Sequence, residues 1–237
     1  MTNRGKRYVS SVAELDEDRQ YEPSEAVALA KRTATAKFDE TVELHLRTGA
    51  DPKQSDQMVR GVTVLPHGIG KEPRVLVLTQ GEGISVAEKA GAEFVGGDEL
   101  ITKIQGGWTD FDVTIATPDM MGKVGKLGPI LGRKGLMPNP RAGTVVQPDA
   151  LSNAIEEAKK GRVEFRLDRT ALIHVTIGKA SFEEIQLLEN LTALIDNIIR
   201  AKPNGIKGDF IKSAYLTSTM GPSVSMNIAS TVELKVE

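Results

Sequence analysis

The sequence predicts a mixed chain, part α/β and part α+β. A split α+β domain is built from both termini, residues 1–66 with 161–237, and a small doubly wound domain is inserted at 67–160. Three observations predict it. Near the N-terminus, TVELHL at 41–46 alternates polar and apolar side chains, as a half-buried antiparallel strand does. In the middle, the continuous apolar run VLVL at 75–78 reads as a buried parallel strand, and helix and strand alternate after it. Beyond Gly161 the antiparallel style returns, so the two ends resemble each other more than either resembles the middle.

Taken in order, residues 4–7 make a short basic arm, and a helix is expected from Tyr8 to about Asp18. A second helix starts near Ser24, signalled by Pro23 and Glu25, with Ala26, Val27, Ala30 and Ala34 at helical spacing. KFDETVELHLRT at 37–48 is the alternating strand, and 59–65 is another. In the middle, strands are expected at 74–79, 93–95 and 112–116, with helices at 85–90, 98–104 and 148–160, the last stopped by Gly161. Residues 162–169 and 172–178 read as a hairpin. The longest helix spans about 182–201, with Ser181 as cap, Glu184 in capping-box position, and an apolar stripe of Ile185, Leu188, Leu191, Leu194, Ile195 and Ile198. Strand-like pieces follow at 210–216, 224–228 and 231–236.

Composition narrows the function. At 237 residues and 40% hydrophobic content the chain can bury a substantial core. Aromatic residues are only 4%, which argues against base stacking on an aromatic platform as the main mode of binding. With no cysteine there are no disulfides, thiolate metal sites or cysteine nucleophiles. No apolar run reaches the ~20 residues that span a bilayer, and the basic N-terminus lacks the apolar core of a signal peptide. A soluble, cytoplasmic protein without a membrane partner is expected.

No enzymatic constellation assembles. Gly81 and Gly83 follow an apolar strand, but Val86 occupies the third glycine position of a dinucleotide-binding turn, and a plain strand-to-helix turn explains the pattern. The phosphate-loop, HExxH and GxSxG motifs are absent, and His45, His67 and His174 lack metal-ligand spacing. No catalytic residue, metal site or cofactor is therefore expected. A nucleotide-dependent enzyme built on the middle domain is the competing class, and the missing phosphate loop speaks against it.

Two stretches stand out instead. GKVGKLGPILGRKGLMPNP at 122–140 holds five glycines and three prolines, and from Lys123 to Arg141 there are five cations and no acid. It reads either as an anion-binding concavity or as a rigid, irregular connection between domains. In 202–223, a basic glycine-containing loop leads into a strand and the turn TSTMGPS. Arg200, Lys202, Lys207 and Lys212 face a single acid, Asp209. Small hydroxyls, exposed amides and rimming cations suit ribose and phosphate oxygens, and a loop with an edge strand explains the same residues. The net charge of −2 matters less to a phosphate-bearing partner than these local fields.

GKRY (5–8), ATAKFDETVE (34–43), SDQMVRGVTVLPHGIGK (55–71), WTDFD (108–112), the 122–140 run, AGTV (142–145), GKASF (178–182) and TSTMGPS (217–223) occur in order along the chain. Together they resemble the bacterial ribosomal protein L-one family, proteins of the large subunit's mobile stalk. The resemblance implies an α+β domain from both termini that binds RNA, and a Rossmann-like inserted domain. It implies a non-enzymatic constituent of the large ribosomal subunit that binds large-subunit rRNA, assists release of exit-site tRNA, and represses translation of its own operon mRNA. The RNA-binding residues it implies are Lys37, Phe38, Thr41, Glu43, Asp168, Thr170, Ser213, Thr217, Thr219, Met220 and Gly221, with auxiliary basic contacts from Arg4, Lys6, Arg7, Arg133 and Lys134. Thr217 and Thr219 would reach ribose 2′-hydroxyls or phosphate, Met220 would pack on a ribose or base, and Gly221 would let the backbone come close. Glu43 would accept from base amino or hydroxyl groups, and the cations would supply the salt-dependent share of affinity. Arg169 and Ala171 depart from the family's more usual lysine and glycine.

Overall fold

The computed structural model describes residues 5–16, 18–206 and 208–234. Arg4, Lys207 and the last part of the strand expected at 231–236 lie outside the described residues. The chain divides into two compact units, one formed by residues up to Gly70 together with those from Val163 on, the other by Lys71–Arg162.

The first unit opens with α1 (Lys6–Val12), α2 (Pro23–Thr33), β1 (Thr41–Thr48) and β2 (Arg60–Val64). Helix α1 starts earlier than expected, so Lys6 and Arg7 lie in its first turn rather than in an extended arm. It also ends earlier, and farther on the Asp16 N–H goes to the Tyr21 hydroxyl at 2.8 Å. Helix α2 begins at Pro23, where the missing N–H costs nothing. In β1 the alternation holds: Val42, Leu44 and Leu46 are fully buried and Glu43, His45 and Arg47 face outward. The strand starts at Thr41, so Lys37 and Phe38 precede it, in a bend.

The second unit runs β3 (Val75–Leu78), α3 (Glu82–Lys89), β4 (Phe94–Gly96), α4 (Asp98–Gln105), β5 (Val113–Ala116), α5 (Pro118–Val124), α6 (Gly128–Lys134) and α7 (Leu151–Lys159). Its three strands are parallel in the order β4-β3-β5. Leu76 and Leu78 pack with Ile104, Met120 and Leu131 on one face; Val75 and Val77 pack with Ala87, Leu151 and Ile155 on the other. A strand buried on both faces must be apolar throughout, which is why VLVL shows no alternation. Helices cover both faces, but three strands are fewer than the six of a complete dinucleotide-binding fold.

The glycine-rich stretch at 122–140 corrects an expectation. It is neither an irregular connection nor a link between the units, because it lies inside Lys71–Arg162 and is largely helical through α5, a 3-10 turn at Gly125–Leu127, and α6. Met120, Val124, Leu127 and Leu131 recur at helical spacing and are fully buried. That apolar period outweighs the helix-weakening glycines.

The chain returns to the first unit with β6 (Arg162–Arg166), β7 (Leu172–Lys179), α8 (Glu184–Arg200), β8 (Ile211–Ser218), β9 (Ser223–Met226) and α9 (Ile228–Glu233). The expected hairpin of β6 with β7 does not form: β6 pairs with β2, and β7 with β1. The two are joined only at the turn, by the bridge Leu167–Ile173 and by the Asp168 N–H donating to the Leu172 carbonyl at 2.8 Å. The main sheet is antiparallel in the order β7-β1-β8-β9, so one of its two inner strands, β1, comes from the N-terminal segment and the other three strands from the C-terminal one. Its apolar face packs in one core with α2 and with Leu187, Leu191, Leu194, Ile195 and Ile198 of α8. Ile185, expected in that stripe, is 61% exposed, and Leu187 takes its place. Ser181 does not cap α8, because its N–H and hydroxyl bind Asp39; Glu183 caps it, with Gln186 completing the capping box. The strand expected at 231–236 is replaced by α9, which Asn227 starts by accepting the Ala229 N–H at 3.0 Å.

Among the described residues, no helix is long and apolar enough to cross a membrane.

Candidate nucleic-acid interface

With α2 and α8 on one side of the main sheet, the register sets out the other side. Glu43 lies between Thr176 and Thr217, His45 between His174 and Tyr215, and Arg47 between Leu172 and Ser213. Strand alternation alone gives these residues a common face. Apart from Leu172 the side chains are polar, and all are partly or fully exposed, with Tyr215 at 40% the one exposed large ring among them. The two histidines share a single hydrogen bond, Nδ1 to Nδ1 at 2.7 Å, so one ring must donate and the other accept. Burial, then the neighbouring His174, pushes the His45 imidazole below its ordinary value, against the pull of Glu43. His45 therefore favours the uncharged state.

One end of this face is built around a residue the sequence did not single out. Glu40 is 1% exposed. Its carboxylate accepts the Ala36 N–H at 2.7 Å and the Met220 N–H at 2.8 Å, and its carbonyl accepts the Ala180 N–H at 2.8 Å. Burial pushes the carboxyl upward, but the two backbone N–H groups outweigh it and hold it below the usual carboxylate range. Glu40 thereby fixes the bend that displays Lys37 and Phe38 against the turn that displays Met220. Phe38 is 55% exposed and Met220 50%, two apolar side chains held in water by a buried charge.

The same turn is tied to β1 by Thr219, whose hydroxyl accepts the Thr41 N–H at 2.9 Å and donates to the Thr41 carbonyl at 3.3 Å. Thr217 donates its hydroxyl proton to the Ser218 carbonyl at 3.0 Å. Both protons are used within the protein, so each hydroxyl has only acceptor capacity left for a ligand. A Cβ on Gly221 would lie 2.3 Å from the Ser218 hydroxyl, so the turn's own packing already requires glycine there.

The other end carries Asp168, Thr170 and Ser213. Asp168 accepts the N–H groups of Thr170 (2.8 Å) and Leu172 (2.7 Å) and the Thr170 hydroxyl (2.7 Å), which closes the 168–172 turn. Burial opposes ionisation of Asp168, yet these donors keep its carboxyl below the ordinary value. Ala171 sits in this turn at φ +63°, the only non-glycine in that region among the described residues, with its carbonyl held by Thr48. A Cβ there is strained by about 1–2 kcal/mol. Ala171→Gly is expected to stabilise the protein by about 0.5–1 kcal/mol once glycine's extra unfolded-state freedom is deducted. An unchanged or lowered denaturation midpoint would refute the strain.

The eleven RNA-binding residues implied by the sequence thus form two groups. Lys37, Phe38, Thr41, Glu43, Thr217, Thr219, Met220 and Gly221 stand at one end of β1, and Asp168, Thr170 and Ser213 at the other, roughly 20 Å away along the strand. His45, His174 and Tyr215 lie between them and Arg47 stands beside Ser213; the alternation around β1 could have found His45 and Arg47. The side chains of Lys37 and Arg47 have no hydrogen bond or ion pair among the described residues. Arg133 and Lys134 belong to the other unit, at the end of α6, where Lys134 donates to Thr109. The turn at 81–83 is filled by the protein itself, since a Cβ on Gly83 would meet the Thr79 hydroxyl at 2.3 Å. Among the described residues, no group of three or more acidic or histidine side chains could hold a metal ion.

Residues 30–222 match the model of the Ribosomal protein L1p/L10e family. A large ribosomal subunit protein uL1 of Dehalococcoides mccartyi is 58% identical over 96% of this chain and 96% of its own. The proteins of the same name in Thermomicrobium roseum and Chloroflexus aggregans are each 53% identical, over 98% and 100% of this chain and 97% and 100% of theirs.

Proposed function

The chain belongs to the Ribosomal protein L1p/L10e family, and we propose that it is a constituent of the large ribosomal subunit in the cytoplasm that holds large-subunit rRNA of the mobile stalk on the open sheet face. The family is one of ribosomal proteins and is not enzymatic. The observation that carries the site is the pair of threonine hydroxyls, Thr217 and Thr219, whose protons are both spent inside the protein. An acceptor-only hydroxyl suits a ribose 2′-hydroxyl and does not suit a phosphate, which needs donors. This narrows the two contacts first expected of these residues to one. Phe38 and Met220 offer apolar surface to a ribose or base, and Lys37 and Arg47 offer unpaired charge to the backbone.

Titration with a stalk rRNA fragment, a scrambled control and a version carrying 2′-deoxyribose tests the reading. Preference for the native fragment over both is expected, and equal affinity for fragment and scramble would overturn specific recognition. Lys37→Ala should lower the slope of log affinity against log salt by about 0.7–0.9.

The finer roles are release of exit-site tRNA and repression of the protein's own operon mRNA. Repression requires the mRNA site to use the same face. An operon-leader fragment should then displace the rRNA fragment competitively, and failure to displace it would exclude the regulatory role. The tRNA role rests on the resemblance of the sequence motifs alone, and an exit-site tRNA that dissociates equally fast from ribosomes with and without this protein would exclude it.

A further inference from the structure

A cavity of about 210 Å³ lies between α1, the chain leading from it into α2, and strands β8 and β9. Tyr8, Tyr21 and Tyr215 all line it, so every tyrosine of the sequence meets there, each from a separate segment. Val12 and Leu15 add apolar surface, and β9 contributes Ser223 and Ser225. Among the described residues, Asp16 is the only charged one in the lining. Its Oδ1 accepts the Asp18 N–H at 3.1 Å, and its carboxylate has no ion pair among the described residues. The Tyr21 hydroxyl accepts the Asp16 N–H at 2.8 Å, which ties the acid to one of the rings.

We propose that this cavity binds the ammonium group of an aliphatic di- or polyamine. A tyrosine ring attracts a cation through its quadrupole, and the attraction grows where water is excluded. One of these rings is already used in that way. The guanidinium of Arg19, which does not line the cavity, lies 4.8 Å from the centre of the Tyr21 ring. A lining whose one charge is negative selects against phosphate and other anions. Serine and tyrosine hydroxyls can accept the N–H donors of a primary ammonium, while Val12 and Leu15 bear on its methylenes. A hydrated metal ion gains nothing from such apolar walls. Tyr215 belongs both to the cavity and to the open sheet face, so a bound amine lies at the border of the proposed RNA surface. Its binding needs no RNA, and the inference is independent of the RNA reading.

The test is calorimetric titration of the full chain with the diamine cadaverine at ~0.1 M salt, where loose surface attraction is screened. The matching neutral diol, magnesium chloride, and lysine capped at both backbone ends are titrated beside it. Saturable one-to-one binding of cadaverine and none of the diol is expected. Asp16→Asn and Tyr215→Leu should each weaken it about fivefold, the share of one partly screened charge or one ring. Tyr215→Phe, which keeps the ring, should retain the affinity. Asp16 and Tyr215 are exposed, so unchanged thermal unfolding is the control for folding. No saturable binding, or equal binding of the diol, would overturn the proposal. Displacement of cadaverine by magnesium at matched ionic strength would do the same, since charge attraction alone would then explain it. Variants that bind as wild type does would put the amine elsewhere and refute the cavity. Capped lysine binding as tightly as cadaverine or more so would overturn the free amine as occupant and give the cavity to a protein side chain. None of these arms contains RNA, so their failure leaves the RNA reading standing.

Discussion

Glu40→Ala is expected to lower stability by about 2–4 kcal/mol and to weaken binding of the stalk rRNA fragment. Truncation leaves the Ala36 and Met220 N–H groups without their acceptor in a site where Glu40 itself is almost inaccessible. An orphaned buried donor costs about 1–3 kcal/mol, and relief from burying a carboxylate offsets part of the loss. Glu40→Gln should fall between, since its amide oxygen can serve one N–H while its NH₂ faces the other. The titration of this carboxyl supplies a signature. Its folded value lies below the 4.5 of the unfolded chain, so its contribution is fully present above about pH 4.5 and is lost as pH falls through that value and below. Denaturant midpoints measured from pH 7 to pH 3 should therefore converge for wild type and Glu40→Ala. Parallel curves would show that the carboxylate is not what holds the two loops together.

Asn190→Ala should cost about 3 kcal/mol, although the residue is far from the open face. It is fully buried within the apolar stripe of α8. Its side-chain oxygen accepts the His67 N–H at 3.0 Å, and its amide donates to the carbonyls of Gly68 (3.0 Å) and Ile177 (2.8 Å). The asparagine thus fastens to α8 and β7 the turn by which the chain leaves the first unit. Alanine strands one buried donor and deprives two carbonyls of partners. Asn190→Asp should be no better, because a carboxylate offers nothing to either carbonyl. Equilibrium unfolding measures the loss, and amide exchange at His67 should accelerate in the variant. A loss under 1 kcal/mol would mean that water replaces the amide.

Local pattern carried much of the fold into the sequence. The alternation of β1, the unbroken VLVL of β3 and the stripe of α8 each follow from which face a segment buries. Glycine counting failed at 122–140 because Met120, Val124, Leu127 and Leu131 keep a helical period through it. The pairing of β6 with β2 was hidden because nearness in sequence favoured a hairpin, whereas the choice of partner depends on the whole sheet. The site divides in the same way. Thr217, Thr219 and Met220 came from their motif, and His45 was visible as a polar position on a strand. Glu40 was not visible at all: ahead of an alternating strand it looks like one more solvated acid, and only a backbone amide 180 residues away makes it a buried one.

The parentage of the main sheet bears on the order in which the molecule can be made. Its inner strand β1 is synthesised first of the four, and the other three, the inner β8 included, follow only after the whole of Lys71–Arg162. The bond between Thr41 and Thr219 closes a separation of 178 residues, whereas the three parallel strands of the inserted unit have all their partners within one continuous segment. A growing chain can finish the inserted unit while β1 is still without neighbours. The open face, with its spent threonine protons and its carboxylate-held loops, is complete only once β8 and β9 have left the ribosome. An unfinished copy therefore lacks this face altogether.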